Sequence, residues 1–169
     1  SGFEIAMPWY WNIAPQRDAT FTPTVYTRRG FGLISEGRYL EPRHDGELRW
    51  HWLPKDRVFD GSRNAVQWRQ QGLGFESDPG SGWRWRHEGL RTTDDAYWKD
   101  FGRALRSFTP RLLPLFAEAE RDWRLAGMDT TTYARVQYWQ VLQDADPLAL
   151  VTAPYHRAPQ IGWRGIGRP

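Results

Sequence analysis

Long runs of alternating polar and apolar residues limit what this chain can become. In Thr20–Thr27 (TFTPTVYT), Phe21, Pro23 and Val25 fall on one side, and Thr20, Thr22, Thr24 and Tyr26 on the other. In Phe31–Leu40, Glu36 and Arg38 oppose Phe31, Leu33 and Tyr39. Glu47–Leu53 (ELRWHWL) sets Leu48, Trp50 and Trp52 against Glu47, Arg49 and His51, and Trp83–Glu88 sets Trp83 and Trp85 against Arg84, Arg86 and Glu88. Thr130–Leu142 places Ala134, Val136, Tyr138 and Leu142 opposite Thr131, Arg135 and Gln137. Successive side chains of a strand point to opposite faces, so a period of two predicts strands with one apolar and one polar face. About eight or nine such strands are expected, each of about ten residues. A tilted membrane strand needs about that length, whereas soluble strands average nearer five or six residues.

The predicted fold is all-β: an antiparallel meander of long strands, part of a transmembrane β-barrel, in a single region over residues 1–169. The chain carries 11 Trp, 7 Tyr and 8 Phe among 169 residues, yet its mean hydropathy is −0.74. A barrel strand alternates lipid-facing with lumen-facing residues, so it combines aromatic excess with low mean hydropathy. A soluble Trp-rich sandwich has the same composition. No apolar run is long enough for a membrane-spanning helix, and no charged-then-apolar N-terminal segment reads as a signal peptide. Cysteine is absent, which excludes disulfides and thiolate metal sites within this stretch. A net charge of +3 is only a weak pointer to an anionic partner.

The stretch PWYWNIAPQRDATFTP, residues 8–23, breaks the pattern. Pro8 and Pro23 interrupt strand-like runs, and Pro15 sits between them. Proline has no N–H for a ladder and belongs at edges, bulges or turns. Further turns are expected at Arg28-Arg29-Gly30, His44-Asp45-Gly46, Asp60-Gly61-Ser62, Asp78-Pro79-Gly80 and Gly127-Met128-Asp129. Asp94–Leu105 has Tyr97, Phe101 and Leu105 at helical spacing, with Gly102 against a long helix. Leu112–Leu125 fits a helix or a strand, and its alternation favours the strand. Asp144–Pro159 reads as an extended loop before a last strand near Gln160–Gly165.

Catalytic chemistry has little support. His44, His51, His87 and His156 are scattered, and solvated or loop positions are expected for them rather than a metal site. No nucleophile elbow or phosphate-binding glycine loop is present, and Gly72-Leu73-Gly74 with Phe75-Glu76-Ser77 is a poor echo of one. Glu118 and Glu120 read as a polar face rather than a catalytic pair. Asp94, Asp95 and Asp100 lack calcium-loop spacing and read as a solvated loop. Arg and Trp in Trp83-Arg84-Trp85-Arg86 fall on opposite faces, which argues against a base-stacking platform. No catalytic residue, metal or cofactor is assigned.

Several motifs resemble the LptD family of outer-membrane lipopolysaccharide-assembly proteins. Gly2-Phe3-Glu4-Ile5 is followed by Pro8-Trp9-Tyr10-Trp11-Asn12-Ile13-Ala14-Pro15, Asp18-Ala19-Thr20, Thr22-Pro23 and Arg28-Arg29-Gly30. Trp11, Asn12, Pro15 and Asp18 carry the motif most clearly. Looser matches follow in order: Glu36 with Arg38-Tyr39-Leu40, Leu53-Pro54 with Asp56 and Val58, Tyr97-Trp98 with Asp100-Phe101, Gln140–Asp144 and Pro154–Gln160.

The resemblance implies the N-terminal part of the family's barrel domain, without its periplasmic jellyroll or remaining strands. It implies a place in the Gram-negative cell outer membrane, a part in lipopolysaccharide transport, and no enzymatic activity. In the family, lipopolysaccharide leaves through a lateral seam between the first and last strands, and Pro8 and Pro23 match the prolines that weaken it. The partners implied are lipopolysaccharide, outer-membrane lipid, the LptE lipoprotein and periplasmic LptA; nucleic acid is not among them. Strand phase turns Arg38, Arg84 and Arg135 inward, where they become candidate contacts for lipopolysaccharide phosphates. Two other readings are a small self-closed outer-membrane barrel and a soluble Trp-rich β module that binds glycan or nucleic acid. Refolding followed by far-UV circular dichroism separates them: strand signal is expected only with detergent micelles present. A monodisperse β-rich protein in plain buffer points instead to the soluble module.

Overall fold

The computed structural model describes residues 2–74, 82–102 and 111–167. Ten strands form one antiparallel sheet: β1 (Glu4–Ala6), β2 (Trp9–Ala14), β3 (Arg17–Tyr26), β4 (Gly30–Leu40), β5 (His44–Asp56), β6 (Gly61–Leu73), β7 (Trp83–Thr92), β8 (Leu112–Leu125), β9 (Met128–Val141) and β10 (Arg157–Gly167). From β3 onward each strand pairs with the next in sequence. β1 and β2 both pair with β3 in one register from Glu4 to Asn12, with Ala6 opposite Thr24 and Trp9 opposite Phe21, and it shifts by one residue before Ala14. They form a single line interrupted at Met7 and Pro8, so the nine lines agree with the expected number. Strands of 10–14 residues from β3 onward also match the expected length. Among the described strands the sheet stays open. Its end strands have no partner in each other, unlike those of a small self-closed barrel.

The ambiguous segments resolve as expected. Leu112–Leu125 is a strand, because Leu115, Ala117 and Ala119 pair in phase with β7 and β9. Tyr97–Phe101 is a short helix, α1, ending at Gly102. Of its expected span, residues 94–96 precede the helix and 103–105 lie outside the described residues, as does the turn expected at Asp78-Pro79-Gly80. The other expected turns sit slightly early or late. His44 already pairs with Gly72, and Gly61 and Met128 open their strands, so the reversals fall at residues 41–43, 57–60 and 126–127. Ladder bonds extend a strand as far as a partner exists, so turn-forming residues are absorbed at its ends. At the β8–β9 reversal, Ala126 and Gly127 both have positive φ, 49° and 79°, as a two-residue hairpin turn with the sheet's twist requires.

Register sorts side chains as the alternation predicts. One row runs straight across five strands with alternating charge: Asp18, Arg38, Glu47, Arg69 and Glu88. Opposite charges facing each other across strands stabilise the pairing, whereas like charges destabilise it. The opposite face carries Trp9, Trp11, Trp50, Trp52, Trp83, Trp85 and Trp163 among apolar neighbours. Much of this apolar area is open: Trp163 is 72% and Ile161 73% exposed. Arg17, Arg91 and Arg121 are exceptions on this face, and the Arg121 guanidinium lies 4.1 Å over the Trp123 ring.

Glycines recur directly opposite aromatics: Gly46 with Tyr39, Gly72 with Trp85, Gly89 with Trp68, and Gly162 with Tyr133. Each ring lies where the glycine lacks a Cβ. At Gly89 an added Cβ lands 2.4 Å from Trp68 Cζ2. Such aromatic cover restores packing that a glycine in a strand otherwise loses. Gly89→Ala is therefore expected to destabilise the sheet by about 1–3 kcal/mol through overpacking. Reversible urea unfolding in micelles measures it, and an unchanged midpoint disproves the close approach.

Candidate functional site

The β1–β2 line is one of the two open edges of the described sheet, and both prolines act on it. Thr27 N donates to Phe3 O, and Met7 N donates to Pro23 O at 3.1 Å. In an antiparallel ladder one residue's N–H and C=O point to the same neighbour, and successive residues alternate. Odd-numbered residues of the first line therefore face β3, and even-numbered ones face outward. Pro23 stands opposite Met7 with its nitrogen turned to the edge line. It accepts the bond from Met7 but has no N–H to return, so this pair keeps one of its two bonds. Pro8 lies in the outward row with Glu4, Ala6, Tyr10 and Asn12. It removes a donor from the free edge itself. Pro23 thus loosens the edge line from the sheet, and Pro8 loosens whatever pairs with that edge. Pro15 occupies the β2–β3 turn, as expected.

The other motif residues anchor this hairpin. Asn12 stands opposite Asp18, and Trp11 opposite Ala19. Arg38 grips Asp18 with a fork of two bonds, Nε at 2.9 Å and Nη2 at 3.0 Å. Trp9 stacks between Trp11 and Phe21, with ring centroids 6.2 and 5.8 Å away.

Arg38, Arg84 and Arg135 all stand on the polar face, and each has a carboxylate partner. Arg84 bonds Glu120 at 3.0 Å and Asp122 at 2.6 Å. Arg135 lies 3.8 Å from Glu118, which Arg86 also meets at 3.2 Å. Glu118 and Glu120 are thus members of an ion-pair lattice. Near the short turns the polar face holds a cleft of about 550 Å3 lined by Leu40, Asp45, Gln71, Arg84, Arg86 and Glu118 among others.

The other end of the polar face is covered. α1 lies across it, with Tyr97 and Phe101 buried against Leu53, Ala65 and Leu90. Phe101 meets the His51 ring edge-on at 5.0 Å and Tyr26 at 5.6 Å. The Tyr97 hydroxyl bonds His51 Nδ1, and burial pushes that hydroxyl well above its ordinary pKa. Arg63, fully buried, bonds Asp94 at 2.7 and 3.0 Å, Asp100 at 2.6 Å and Asp56 at 3.1 Å. Arg29 bridges Asp56 and Asp100 at 2.6 and 2.5 Å.

This cluster corrects two expectations. His51 is neither solvated nor in a loop: it is 2% exposed and lies in β5 beneath α1. Asp94 and Asp100 are not solvated loop carboxylates but hold the loop to the sheet. Arg63 carries no local signal of its role. Its partners lie 7, 31 and 37 residues away, and only the pairing of β5 with β6 and the fold-back of α1 unite them. Among the described residues no group of His, Cys, Asp and Glu has metal-holding geometry.

β7 and β8 part near this covered end. Their ladder stops at Gly89 opposite Leu115. Leu142 N bonds Arg111 O, which sets odd residues of β8 toward β9 and turns Pro114 toward β7, where it has nothing to donate. Side chains replace the missing ladder. The Gln140 amide accepts from Thr92 N at 3.2 Å and donates to Thr92 O at 2.9 Å, and Arg91 bonds Leu90 O and Leu113 O.

The edge geometry yields an asymmetric expectation. Pro23→Ala adds a donor aimed at Met7 O and tightens β1–β2 against β3 by about 0.5–1.5 kcal/mol. Pro8→Ala adds a donor that points off the sheet and leaves that pairing unchanged. Hydrogen exchange of the Trp9 and Trp11 amides reads this out: slower with Pro23→Ala, unaltered with Pro8→Ala.

No family model matches the chain. Curated relatives do. An LPS-assembly protein LptD of Acidovorax sp. (strain JS42) is 44% identical over 96% of this chain and 20% of its own length. One of Paracidovorax citrulli is 40% identical over 96% of the chain and 19% of its own length. One of Burkholderia ambifaria is 32% identical over 95% of the chain and 19% of its own length. Over nearly its whole length this chain is homologous to LPS-assembly protein LptD, and it spans about a fifth of such a protein.

Proposed function

We infer that this chain supplies the first strands of an outer-membrane β-barrel that transports and assembles lipopolysaccharide in a Gram-negative cell, with no catalytic step. The apolar, Trp-rich face meets lipid and its interface, and the charged face lines the lumen. The β1–β2 line forms one side of a lateral gate through which an anionic glycolipid passes from lumen to membrane. The observation that carries this reading is the placement of the two prolines. One weakens each side of the same edge strand, so separating that strand from its neighbours breaks fewer hydrogen bonds than anywhere else along an unbroken ladder. A proline that only guarded an edge against aggregation is needed in the outward row alone. Pro23 faces the other way.

Arg38, Arg84 and Arg135 fit the lumen of such a pathway. Their carboxylate partners hold the guanidinium groups in place, and the side chains of Arg38 and Arg84 remain 53% and 41% exposed. A passing phosphate then exchanges with carboxylates instead of binding a bare cation, which favours transit over capture. LptE, LptA and the remaining barrel strands complete this reading as partners of the full-length protein.

The test is a Pro8→Ala, Pro23→Ala double change in a full-length protein that contains this stretch. About one ladder bond is regained per proline, so opening is expected to slow several-fold and lipopolysaccharide at the cell surface to fall. Delivery equal to the parent's sinks the gate.

A further inference from the structure

The two ends of the polar face differ. At the end of the 41–43 reversal the described residues of the face line an open, charged cleft. At the other, residues 94–102 fold back over it and bury His51, Leu53, Arg63, Ala65 and Leu90. Nothing in the hairpin connections demands this. The β3–β4 and β5–β6 reversals at the same end are short and only border the cluster, through Arg29 and through Phe59, whose ring lies 4.7 Å from the Arg63 guanidinium.

What holds residues 94–102 down is mainly one side chain. Arg63 stands on β6 and reaches three carboxylates. Asp56 belongs to the sheet; Asp94 and Asp100 belong to the fold-back segment. Asp56 and Arg63 are fully buried, and Asp94 is 9% exposed. Three carboxylates meet two guanidinium groups here, since Arg29 also bridges Asp56 and Asp100. A buried charge left without its partner is strongly unfavourable. Without Arg63, Asp56 on the sheet repels Asp94 and Asp100 on the segment, and Arg29 alone faces all three. The apolar contacts of Tyr97 and Phe101 then oppose a repulsive seat instead of reinforcing an attractive one. Lys99 adds an exposed tether to Asp144 at 2.6 Å, and its hydrogen bond holds that carboxyl below the usual range.

We propose that residues 94–102 are a plug that closes one end of the polar face to polar solutes, and that the Arg63 clasp on Asp56, Asp94 and Asp100 is the latch that keeps it seated. The plug itself does not depend on the lateral-gate reading; its effect on passage rests on the polar face lining a barrel lumen.

Two readouts test it. The chain has no cysteine, so Ala65→Cys, 4% exposed beneath α1, is a single thiol whose maleimide labelling reports plug release. In micelles, Arg63→Met is expected to raise that labelling rate by at least about tenfold while strand content is retained. Because Arg63→Met can unseat β6 itself, Asp94→Asn with Asp100→Asn is the companion variant. It removes only the plug's side of the latch, leaves the Arg63–Asp56 pair intact, and is expected to raise labelling likewise. The second readout is ion conductance in planar bilayers of a full-length protein containing this stretch, expected to rise with the Asp94→Asn, Asp100→Asn pair. Unchanged labelling in the paired variant overturns the latch. Raised labelling with unchanged conductance overturns the plug as a barrier. Neither outcome bears on the two prolines, whose changes are read by lipopolysaccharide delivery.

Discussion

A backbone N–H within a sheet bonds an acceptor on the neighbouring strand, and a proline in the ladder removes one such donor. Departures from the regular ladder collect at those residues. Pro8 separates β1 from β2, and Pro23 halves the bonding of the pair it forms with Met7. Pro54 lies in the register shift between Leu53 and Asp56, and Pro159 in the one between Arg157 and Gln160. Pro114 stands where β7 and β8 part. Another shift, between Asn12 and Ala14, adjoins Pro15, and elsewhere the ladder runs unshifted for seven to fourteen pairs at a time. The sheet is therefore stiff across its middle and yields at chemically defined points.

Those yielding points are treated differently. At β7–β8 the lost bonds are replaced: the Gln140 amide copies a peptide group toward Thr92, and Arg91 caps two carbonyls. At the first edge no side chain among the described residues replaces the bond that Pro23 cannot make. A junction repaired by side chains stays closed, whereas an unrepaired one opens at lower cost. This contrast distinguishes a structural proline from one suited to a moving edge.

The two faces divide the remaining work. Alternating charges across the strands hold the polar face in register without a hydrophobic core beneath most of it. The compact core is confined to the end beneath α1, where Tyr97, Phe101, Leu53, Ala65 and Leu90 gather around a buried ion cluster. A sheet this open on its apolar side needs a nonaqueous neighbour, and a bilayer supplies one without any further protein.

Much of this was legible in the residues. The period of two, read from Trp50 against Arg49 or Trp85 against Arg84, determined the strands and their two faces, because side-chain direction in a strand is a local property. Proline positions marked where pairing must fail, since a missing N–H is missing in any context. Turn boundaries were less legible: His44, Gly61 and Met128 join strands because a partner stands opposite, which local propensity does not report. Only the tertiary structure decided which way each proline faces, because that depends on register with β3 and β8. It alone brought Arg63 to Asp56, Asp94 and Asp100, and His51 beneath Tyr97. Those contacts cross up to 46 residues of chain and arise from strand pairing and the fold-back of α1, not from any spacing along the sequence.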